Sequence, residues 1–388
     1  MPKKMYTVLT LLPFILFAMG IAAQPAIDTL AYTTPQGLIV IEGKINGYSV
    51  PLVFDTGAGL SVSNDSVNKT AFAKPVKSTI NVRDANEQKT STPMVKLNSM
   101  TIGRFEAKNL KVVSFNMPFL ACYGSLLLGQ DFIAKFNWKF DFTTKKVMLS
   151  EKPFSPENGA DKLPVTMLKN RRPFVTMQLQ NNMPSQWLID FGYRGYMDIE
   201  KTLHSGVIFN PQYPKAVFEA QTMGLLGSAN KDNLIKTQVD DLRVGKVQLN
   251  GIPADLDSGA SAKVGLYFFT DLCNSMILNH TTGEYYVTWK EKPGISLGFF
   301  DASPSWEDGK LVIGTRRTDS LSSVANMPPK MVVEKVNGTP ASSFNSECSW
   351  LSWRLGFSGK SYTLEGSNGQ LYTIGKIPYA APSIKQQE

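Results

Sequence analysis

Short runs in which apolar and polar residues alternate recur along most of the chain, and turn-forming residues separate them. Apolar strand-like runs occur as well: residues 38–41 form one, Asn46-Gly47 follows, and residues 50–54 form the next. Alternation with a period of two is typical of a strand with one buried face, and Asn-Gly is a strong signal for a two-residue hairpin turn. Strand-favouring residues such as valine, isoleucine and threonine are frequent as well. The pattern therefore predicts a protein that is mainly all-β.

The same pattern returns about 135 residues later. Residues 173–179 and 187–189 are again strand-like, and a turn at Asn181-Asn182 joins them. The first copy ends in Asp55-Thr56-Gly57-Ala58 and the second in Asp190-Phe191-Gly192. In both copies the aspartate follows the first turn residue by nine positions, which indicates an internal duplication rather than chance.

Two further landmarks recur in the same order and at nearly equal separations in both copies. Gly129, in Leu127-Leu128-Gly129, follows the first aspartate by 74 residues, and Gly265 follows the second by 75. In the second copy, Lys263 stands where the first copy has Leu127, the first apolar residue before the glycine. Each copy then closes with a predicted hairpin, at residues 140–149 and 276–287. We expect two copies of one β-unit, at residues 30–152 and 160–290.

Phe54-Asp55-Thr56-Gly57-Ala58, with Leu127-Leu128-Gly129 downstream, resembles the retropepsin-like aspartic protease family, and the resemblance extends over residues 36–290. It implies two closed β-barrel lobes that share one cleft, with Asp55 and Asp190 as the catalytic pair. It also implies that Thr56 makes hydrogen bonds between the lobes. The supporting active-site loops would comprise Thr56, Gly57, Ala58, Phe191 and Gly192.

A pair of aspartates can hydrolyse a peptide bond without a metal or other cofactor. Two adjacent carboxylates do not both ionise readily, so the pair holds one proton. The ionised member then takes a proton from water while the other polarises the scissile carbonyl. We therefore expect an aspartic endopeptidase that acts on peptides or proteins, needs no cofactor and has no metal site.

Phe191 leaves a second interpretation open. It stands where the family has threonine or serine and has no hydroxyl, so the contacts between the lobes cannot be symmetric. The alternative is a catalytically degenerate protein that binds a peptide or protein without cleaving it. Asp257-Ser258-Gly259 matches the family triplet better, but it lies eight residues before Gly265 and lacks a preceding hairpin, so we interpret it as a loop.

Flaps over the cleft are expected at residues 84–87 and 224–230. The sequence leaves open whether two chains pair through their first lobes.

The pattern changes after residue 293, and Ser296-Leu297-Gly298-Phe299 resembles the loop with which PDZ domains bind the C-terminus of a peptide. Val336-Asn337-Gly338-Thr339-Pro340 resembles a second PDZ segment. We expect a PDZ-like domain at residues 293–388; a generic small β-rich domain is the alternative. A PDZ-like domain would bind an extended C-terminal peptide by adding it as a strand to a sheet edge.

The N-terminus predicts export. Lys3 and Lys4 precede an uncharged, mostly apolar stretch at residues 6–19, and Ala22 and Ala23 offer small residues for cleavage. Residues 1–23 are therefore interpreted as a signal peptide, with a retained anchor as the alternative. We expect a periplasmic or secreted protein of a bacterial cell envelope. No later segment is apolar enough over its length to predict a membrane span.

The remaining composition narrows the classes of function. The net charge of +8 comes from scattered residues, so no nucleic-acid partner is expected. The chain has two histidines, which argues against a Ser-His-Asp hydrolase or a histidine-bound metal. Cys122, Cys273 and Cys348 are too few for a disulfide scaffold or a zinc site, although one pair can form in an oxidising compartment.

Overall fold

The computed structural model describes residues 27–35, 37–84, 86, 88–224, 227–257 and 262–386. The predicted signal peptide lies outside these residues. Most of the described chain is in strands and its helices are short, so the all-β prediction is confirmed. Within the described ranges, no helix has the length and apolarity needed to cross a membrane.

The first half of the chain forms a closed barrel. The chain turns at Asn46 and Gly47, whose φ angles of 49° and 89° are those that an Asn-Gly hairpin turn requires. The sheet order is β2-β3-β8-β4-β7-β6-β5, and pairing of β2 with β6 closes it. The elements are β1 (Ile27–Ala31), β2 (Val40–Ile45), β3 (Tyr48–Phe54), β4 (Val62–Ser63), α1 (Asp65–Thr70), β5 (Lys74–Arg83), β6 (Lys89–Ile102), β7 (Phe105–Ser114), α2 (Pro118–Cys122), β8 (Leu126–Leu128), α3 (Gln130–Ile133), β9 (Asn137–Asp141) and β10 (Lys146–Ser150).

The second half repeats these pairings. Its sheet runs β13-β14-β21-β15-β20-β17-β16, and β13 also pairs with β18. In both halves the strand that leads to the aspartate lies parallel to the strand that leads to Gly129 or Gly265. These parallel pairs are β3 with β8 and β14 with β21. The elements are β11 (Asp161–Leu163), β12 (Val165–Met167), β13 (Pro173–Leu179), β14 (Ser185–Asp190), β15 (Met197–Glu200), α4 (Lys201–His204), β16 (Ala216–Gly224), β17 (Gly227–Val239), β18 (Leu242–Val244), β19 (Val247–Asn250), β20 (Ile252–Asp257), β21 (Lys263–Gly265), α5 (Leu266–Leu272), β22 (Cys273–Asn279) and β23 (Glu284–Trp289).

A sheet shared by the two halves joins them. Its order, β1-β10-β9-β22-β23-β11, is symmetric about the central pair β9 and β22. Phe140 of β9 lies opposite Met276 of β22, and both are fully buried. Burial of this apolar surface stabilises the junction of the halves. The symmetric order is the arrangement expected when two copies of one unit meet about a two-fold axis.

The C-terminal segment, residues 298–386, is attached to both halves. Strand β26 extends the sheet of the second half by pairing with β16, β25 pairs with the other side of β26, and β31 pairs with β19. A disulfide between Cys122 of α2 and Cys348 of α6 links it to the first half. Its elements are β24 (Gly298–Phe300), β25 (Ala302–Glu307), β26 (Lys310–Arg317), β27 (Val333–Val336), β28 (Thr339–Pro340), the 3-10 helix Ala341–Ser343, α6 (Glu347–Gly356), β29 (Ser361–Gly366), β30 (Leu371–Pro378) and β31 (Ser383–Gln386).

Candidate active site

The structure brings Asp55 and Asp190 together, each at the end of the equivalent strand of its half. A β-carbon placed on Gly57 would lie 2.6 Å from Oδ1 of Asp190. A β-carbon placed on Gly192 would lie 2.5 Å from Oδ2 of Asp55. Each carboxyl group therefore packs against the glycine of the opposite loop. Any larger residue at either glycine would push the two aspartates apart.

Backbone N–H groups of the loops orient both carboxyl groups. Gly57 and Ala58 donate to Oδ1 of Asp55 at 2.8 and 3.1 Å. In the second half Gly192 donates to Oδ1 of Asp190 at 3.0 Å. Hydrogen bonds to a carboxylate favour its charged form. In both loops the glycine two residues after the aspartate thus donates its N–H to the aspartate carboxyl.

The pair is electrostatically coupled. Burial and then the charge of Asp190 raise the pKa of Asp55 to about 8, against the lowering effect of the Gly57 and Ala58 N–H groups. The physical cause is that a buried site disfavours a charged carboxylate, and that a second negative charge beside it disfavours ionisation further. The pair therefore retains one proton at neutral pH. In such a pair one carboxyl can act as an acid and the other as a base.

The hydroxyl of Thr56 joins the two loops. It donates to the carbonyl of Ile189 at 2.6 Å and accepts from the N–H of Phe191 at 3.0 Å. Both partners belong to the second half, on either side of Asp190. Thr56 is completely buried, so these two bonds are shielded from water.

The side chain of Phe191 is part of the hydrophobic core. It is fully buried, and its ring centre lies 5.5 to 6.1 Å from the ring centres of Phe54, Phe140 and Phe269. Phe54 directly precedes Asp55, and Phe140 belongs to the shared sheet. Phe191 therefore replaces a second hydroxyl contact between the halves with aromatic packing between them.

Three residues of this site were not assigned a role from the sequence. Gln130 donates through Nε2 to the carbonyl of Thr56 at 2.9 Å. Ser61 donates to Oδ1 of Asp131 through its N–H and hydroxyl, and it accepts from the N–H of Gly129. The available signal was the pair of polar residues directly after Leu127-Leu128-Gly129, because polar side chains next to a buried strand need internal partners.

The two predicted flaps lie on the hairpins β5–β6 and β16–β17, which contact each other through Asn86 and Thr222. Asn86, between β5 and β6, donates to the carbonyl of Thr222 at 3.3 Å, and the Thr222 hydroxyl donates to Asn86 at 2.9 Å. Gly224 lies so close to the carboxylate of Asp84 that a β-carbon there would come within 2.2 Å of it. Residues 85, 87, 225 and 226 lie outside the described residues.

The predicted peptide-binding loop makes a different contact from the one expected of it. The N–H and hydroxyl of Ser296 donate to Oδ2 of Asp271, in α5, at 2.8 and 2.7 Å, and the N–H of Leu297 is 3.5 Å from the hydroxyl of Tyr196. Gly298 begins β24, and the Phe299 ring is buried against Phe218. A peptide carboxylate at this loop would have to displace Asp271.

Two other features of the second copy are compensated locally or lie outside the site. Nζ of Lys263 lies 3.4 Å from Oδ2 of Asp198 and over the ring of Tyr193, so its charge is balanced within the second half. Asp257 ends β20 opposite Glu200, and residues 258–261 are outside the described ranges. In the part of the chain that the structure describes, no three His, Cys, Asp or Glu residues are grouped as metal ligands.

Comparison with known proteins supports the resemblance for the first half. Residues 41–132 match the family model described as aspartyl protease. Among solved structures, the chain is similar to a retropepsin-like aspartic protease from Rickettsia conorii, with 19% identity over 32% of this chain and 89% of that chain and a TM-score of 0.25. No curated protein matches. The segment that matches the family model includes the Asp55 loop and Gly129.

Proposed function

We propose that this protein is an exported aspartic endopeptidase, in which two retropepsin-like lobes of one chain activate a water molecule between Asp55 and Asp190. The observation that carries the proposal is the reciprocal packing of each aspartate against the glycine of the opposite loop. That arrangement places two carboxyl groups side by side at the junction of the halves. The lobes correspond to the first and second halves described above.

The chemistry follows from the single proton that the pair holds. The ionised carboxylate takes a proton from water, which attacks the scissile carbonyl carbon, while the protonated carboxyl donates to the carbonyl oxygen. The resulting tetrahedral diol collapses when its C–N bond breaks: the protonated carboxyl gives its proton to the amine nitrogen, and one diol hydroxyl gives its proton to the ionised carboxylate as the acid product forms. The pair ends with one proton, as it began.

The alternative, a binding protein that does not cleave, rested on Phe191. Two observations support the endopeptidase over this alternative: the Phe191 ring packs into the core, and the Phe191 N–H donates to the Thr56 hydroxyl. We therefore favour the endopeptidase.

The test is cleavage of unstructured peptide libraries from acid to neutral pH by the mature chain. Asp55→Asn and Asp190→Asn should each lower activity by several orders of magnitude, because the paired carboxyls act as a unit. Asp257→Asn is the matched control and should retain activity. A statine-containing peptide, which imitates the tetrahedral diol, should inhibit the wild type. A wild type that is inert under all conditions, with Asp55→Asn binding the same peptides equally tightly, would establish the binding function instead.

Export is part of the proposal. It is supported by the N-terminal pattern and by the Cys122–Cys348 disulfide, because disulfides persist mainly in oxidising compartments. The expected mature chain begins after Ala22 or Ala23. Mass measurement of the protein recovered from the cell envelope tests this, and an intact Met1 end in the membrane fraction would favour a retained anchor.

We further propose that the C-terminal segment is a PDZ-like unit that binds an extended peptide. Since Ser296 already pairs with Asp271, the support comes from β25, which ends its sheet and among the described strands pairs only with β26. A peptide that adds to this edge would extend the sheet that continues through β16 into the second flap. Binding of C-terminal peptides to the mature chain, measured with and without a carboxyl-terminal amide, tests whether the terminal carboxylate contributes.

A further inference from the structure

We infer that Gln130 is a positioning residue for the active site, which orients Asp55 through the peptide unit between Thr56 and Gly57. This inference rests on the proposed protease function. The amide Nε2 of Gln130 donates to the Thr56 carbonyl at 2.9 Å, and the N–H of the same peptide unit, on Gly57, donates to Oδ1 of Asp55 at 2.8 Å. The side chain of Gln130 is thus one peptide unit away from the catalytic carboxyl.

A peptide unit that accepts a hydrogen bond at its oxygen becomes a stronger donor at its nitrogen, because the two bonds polarise the amide in the same direction. The bond from Gln130 also fixes the plane of this peptide and so the direction in which the Gly57 N–H points. A second bond, from the backbone N–H of Gln130 to the carbonyl of Ala58 at 2.9 Å, holds the other end of the loop. Gln130 therefore holds two peptide units of the catalytic loop, the one that follows Thr56 and the one that follows Ala58.

The second half lacks this side chain. Leu266 occupies the equivalent position, directly after Gly265, and its N–H donates to the carbonyl of Tyr193 at 2.9 Å, just as that of Gln130 does to Ala58. Leucine has no amide to donate to the Phe191 carbonyl. The backbone hydrogen bond is therefore common to both halves. The relay, in which the Gln130 side chain bonds the Thr56 carbonyl and the Gly57 N–H of the same peptide unit bonds the aspartate, acts on Asp55 alone.

The energetics of Gln130 also indicate a role in the site. It is 2% exposed, and among the described residues its Oε1 has no hydrogen-bond partner. A buried acceptor without a partner costs free energy, and an apolar residue such as the leucine of the second half would avoid that cost. The benefit that offsets the cost is the bond to Thr56.

The groups that can compete with this relay are few. Asp190, from the other half, is the charged group that acts on Asp55. Asp131 lies next to Gln130 on α3 but accepts from the N–H and hydroxyl of Ser61. Burial raises the pKa of Asp131, and the hydrogen bonds from Ser61 oppose that shift. A change at Gln130 should be detected in the titration of the Asp55–Asp190 pair.

The test uses Gln130→Met, which keeps the shape and removes the donor. We expect kcat to fall by about 10- to 100-fold with little change in KM, as for supporting residues that orient a reacting group. Both limbs of the pH–rate profile should move to higher pH, because the ionised form of Asp55 loses part of its stabilisation. Gln130→Glu should retain activity at acid pH, where its carboxyl O–H donates to Thr56, and lose activity as it ionises.

Gln180→Met is the matched control. Gln180 is also a buried glutamine. Its side-chain amide donates to the carbonyl of Ile208 and accepts from the N–H of Ile208, away from the aspartates. It should lower stability without moving the pH profile. An unchanged profile for Gln130→Met, or an equal shift for Gln180→Met, overturns the inference while leaving the protease function intact. If the wild type cleaves no peptide, the proposed function fails, and the inference is then decided by whether Gln130→Met alters the pH dependence of the unfolding temperature.

Discussion

The hydroxyl of Thr56 donates to the carbonyl of Ile189, the residue that precedes Asp190, at a distance of 2.6 Å, and Thr56 is completely buried. The same oxygen accepts from the N–H of Phe191, the residue that follows Asp190. One hydroxyl of the first half therefore holds both sides of the second aspartate. Phe191 has no hydroxyl to make the reciprocal contact, so the bonds of the Thr56 hydroxyl to the second loop have no symmetric counterpart from position 191.

Thr56→Val should separate the two loops. Valine keeps the shape but leaves the Ile189 carbonyl and the Phe191 N–H without partners, at about 1–3 kcal/mol for each buried group. We expect a lower unfolding temperature and a fall in kcat/KM, measured by thermal unfolding and peptide cleavage. Thr56→Ser keeps the hydroxyl and should retain most of the activity. Equal behaviour of the valine and serine variants would contradict the role of the hydroxyl.

The raised pKa of Asp55 predicts how activity and stability depend on pH. The folded state binds more protons than the unfolded state between pH about 4 and about 8, so stability should fall as pH rises through this window. Activity should fall above pH about 8, where the pair loses its shared proton. Asp55→Asn should flatten the stability profile and stabilise the chain at pH 7 by about 0.5–2 kcal/mol, as active-site charges often cost stability. Urea unfolding at several pH values measures this; a profile that Asp55→Asn leaves unchanged would contradict it.

Phe191→Thr should destabilise the protein rather than improve catalysis. The substitution restores the hydroxyl of the family but removes a ring packed against Phe54, Phe140 and Phe269. Truncation of a buried phenylalanine costs about 3–5 kcal/mol. Phe191→Leu retains much of the apolar volume and should be milder. Unfolding free energies and kcat for both variants are the measurement, and higher activity in Phe191→Thr would show that the hydroxyl matters more than the packing.

The parts of the fold that local pattern encodes were predictable from the sequence. The Asn46-Gly47 turn has the backbone angles that its residues favour, and the strand that follows it ends at Phe54, directly before Asp55. The equal number of residues from turn to aspartate in the second copy predicted Asp190 as its counterpart. The all-β class followed from the period of two along the chain.

The contacts that depend on distant residues were not predictable in this way. The bond from Gln130 to Thr56 joins residues 74 positions apart, and the pairing of β16 with β26 joins segments about a hundred residues apart. The Ser296 loop shows the opposite case, since a local resemblance to a peptide-binding loop did not reveal that Asp271 already accepts its hydrogen bonds. Local pattern does not encode which partner a donor finds after folding.

The cysteine pairing is a direct test of how the C-terminal segment is attached. The structure joins Cys122 to Cys348 and leaves Cys273 buried as a free thiol whose pKa burial raises above its usual range. We expect peptide mapping without reductant to recover one linked peptide that contains residues 122 and 348. Cys273 should resist alkylation until the chain is unfolded, because the thiolate is the reactive form. A linked peptide that contains Cys273 would contradict the structure.

The contact between the two hairpin tips predicts how substrate enters. Gly224 lies against the carboxylate of Asp84, and a β-carbon there would come within 2.2 Å of an oxygen of that group. Gly224→Ala should therefore push the tips apart and weaken the hydrogen bonds between Asn86 and Thr222. Because closed flaps sequester a bound peptide, we expect KM for peptides to rise several-fold while kcat changes less. Gly294→Ala, at a glycine whose added β-carbon would meet no atom within 4 Å, is the matched control and should behave as wild type. Steady-state kinetics on one peptide substrate distinguishes the cases: a fall in kcat at constant KM would place the tips in the chemical step rather than in substrate retention, and identical kinetics for the two variants would show that the contact is not kept in solution.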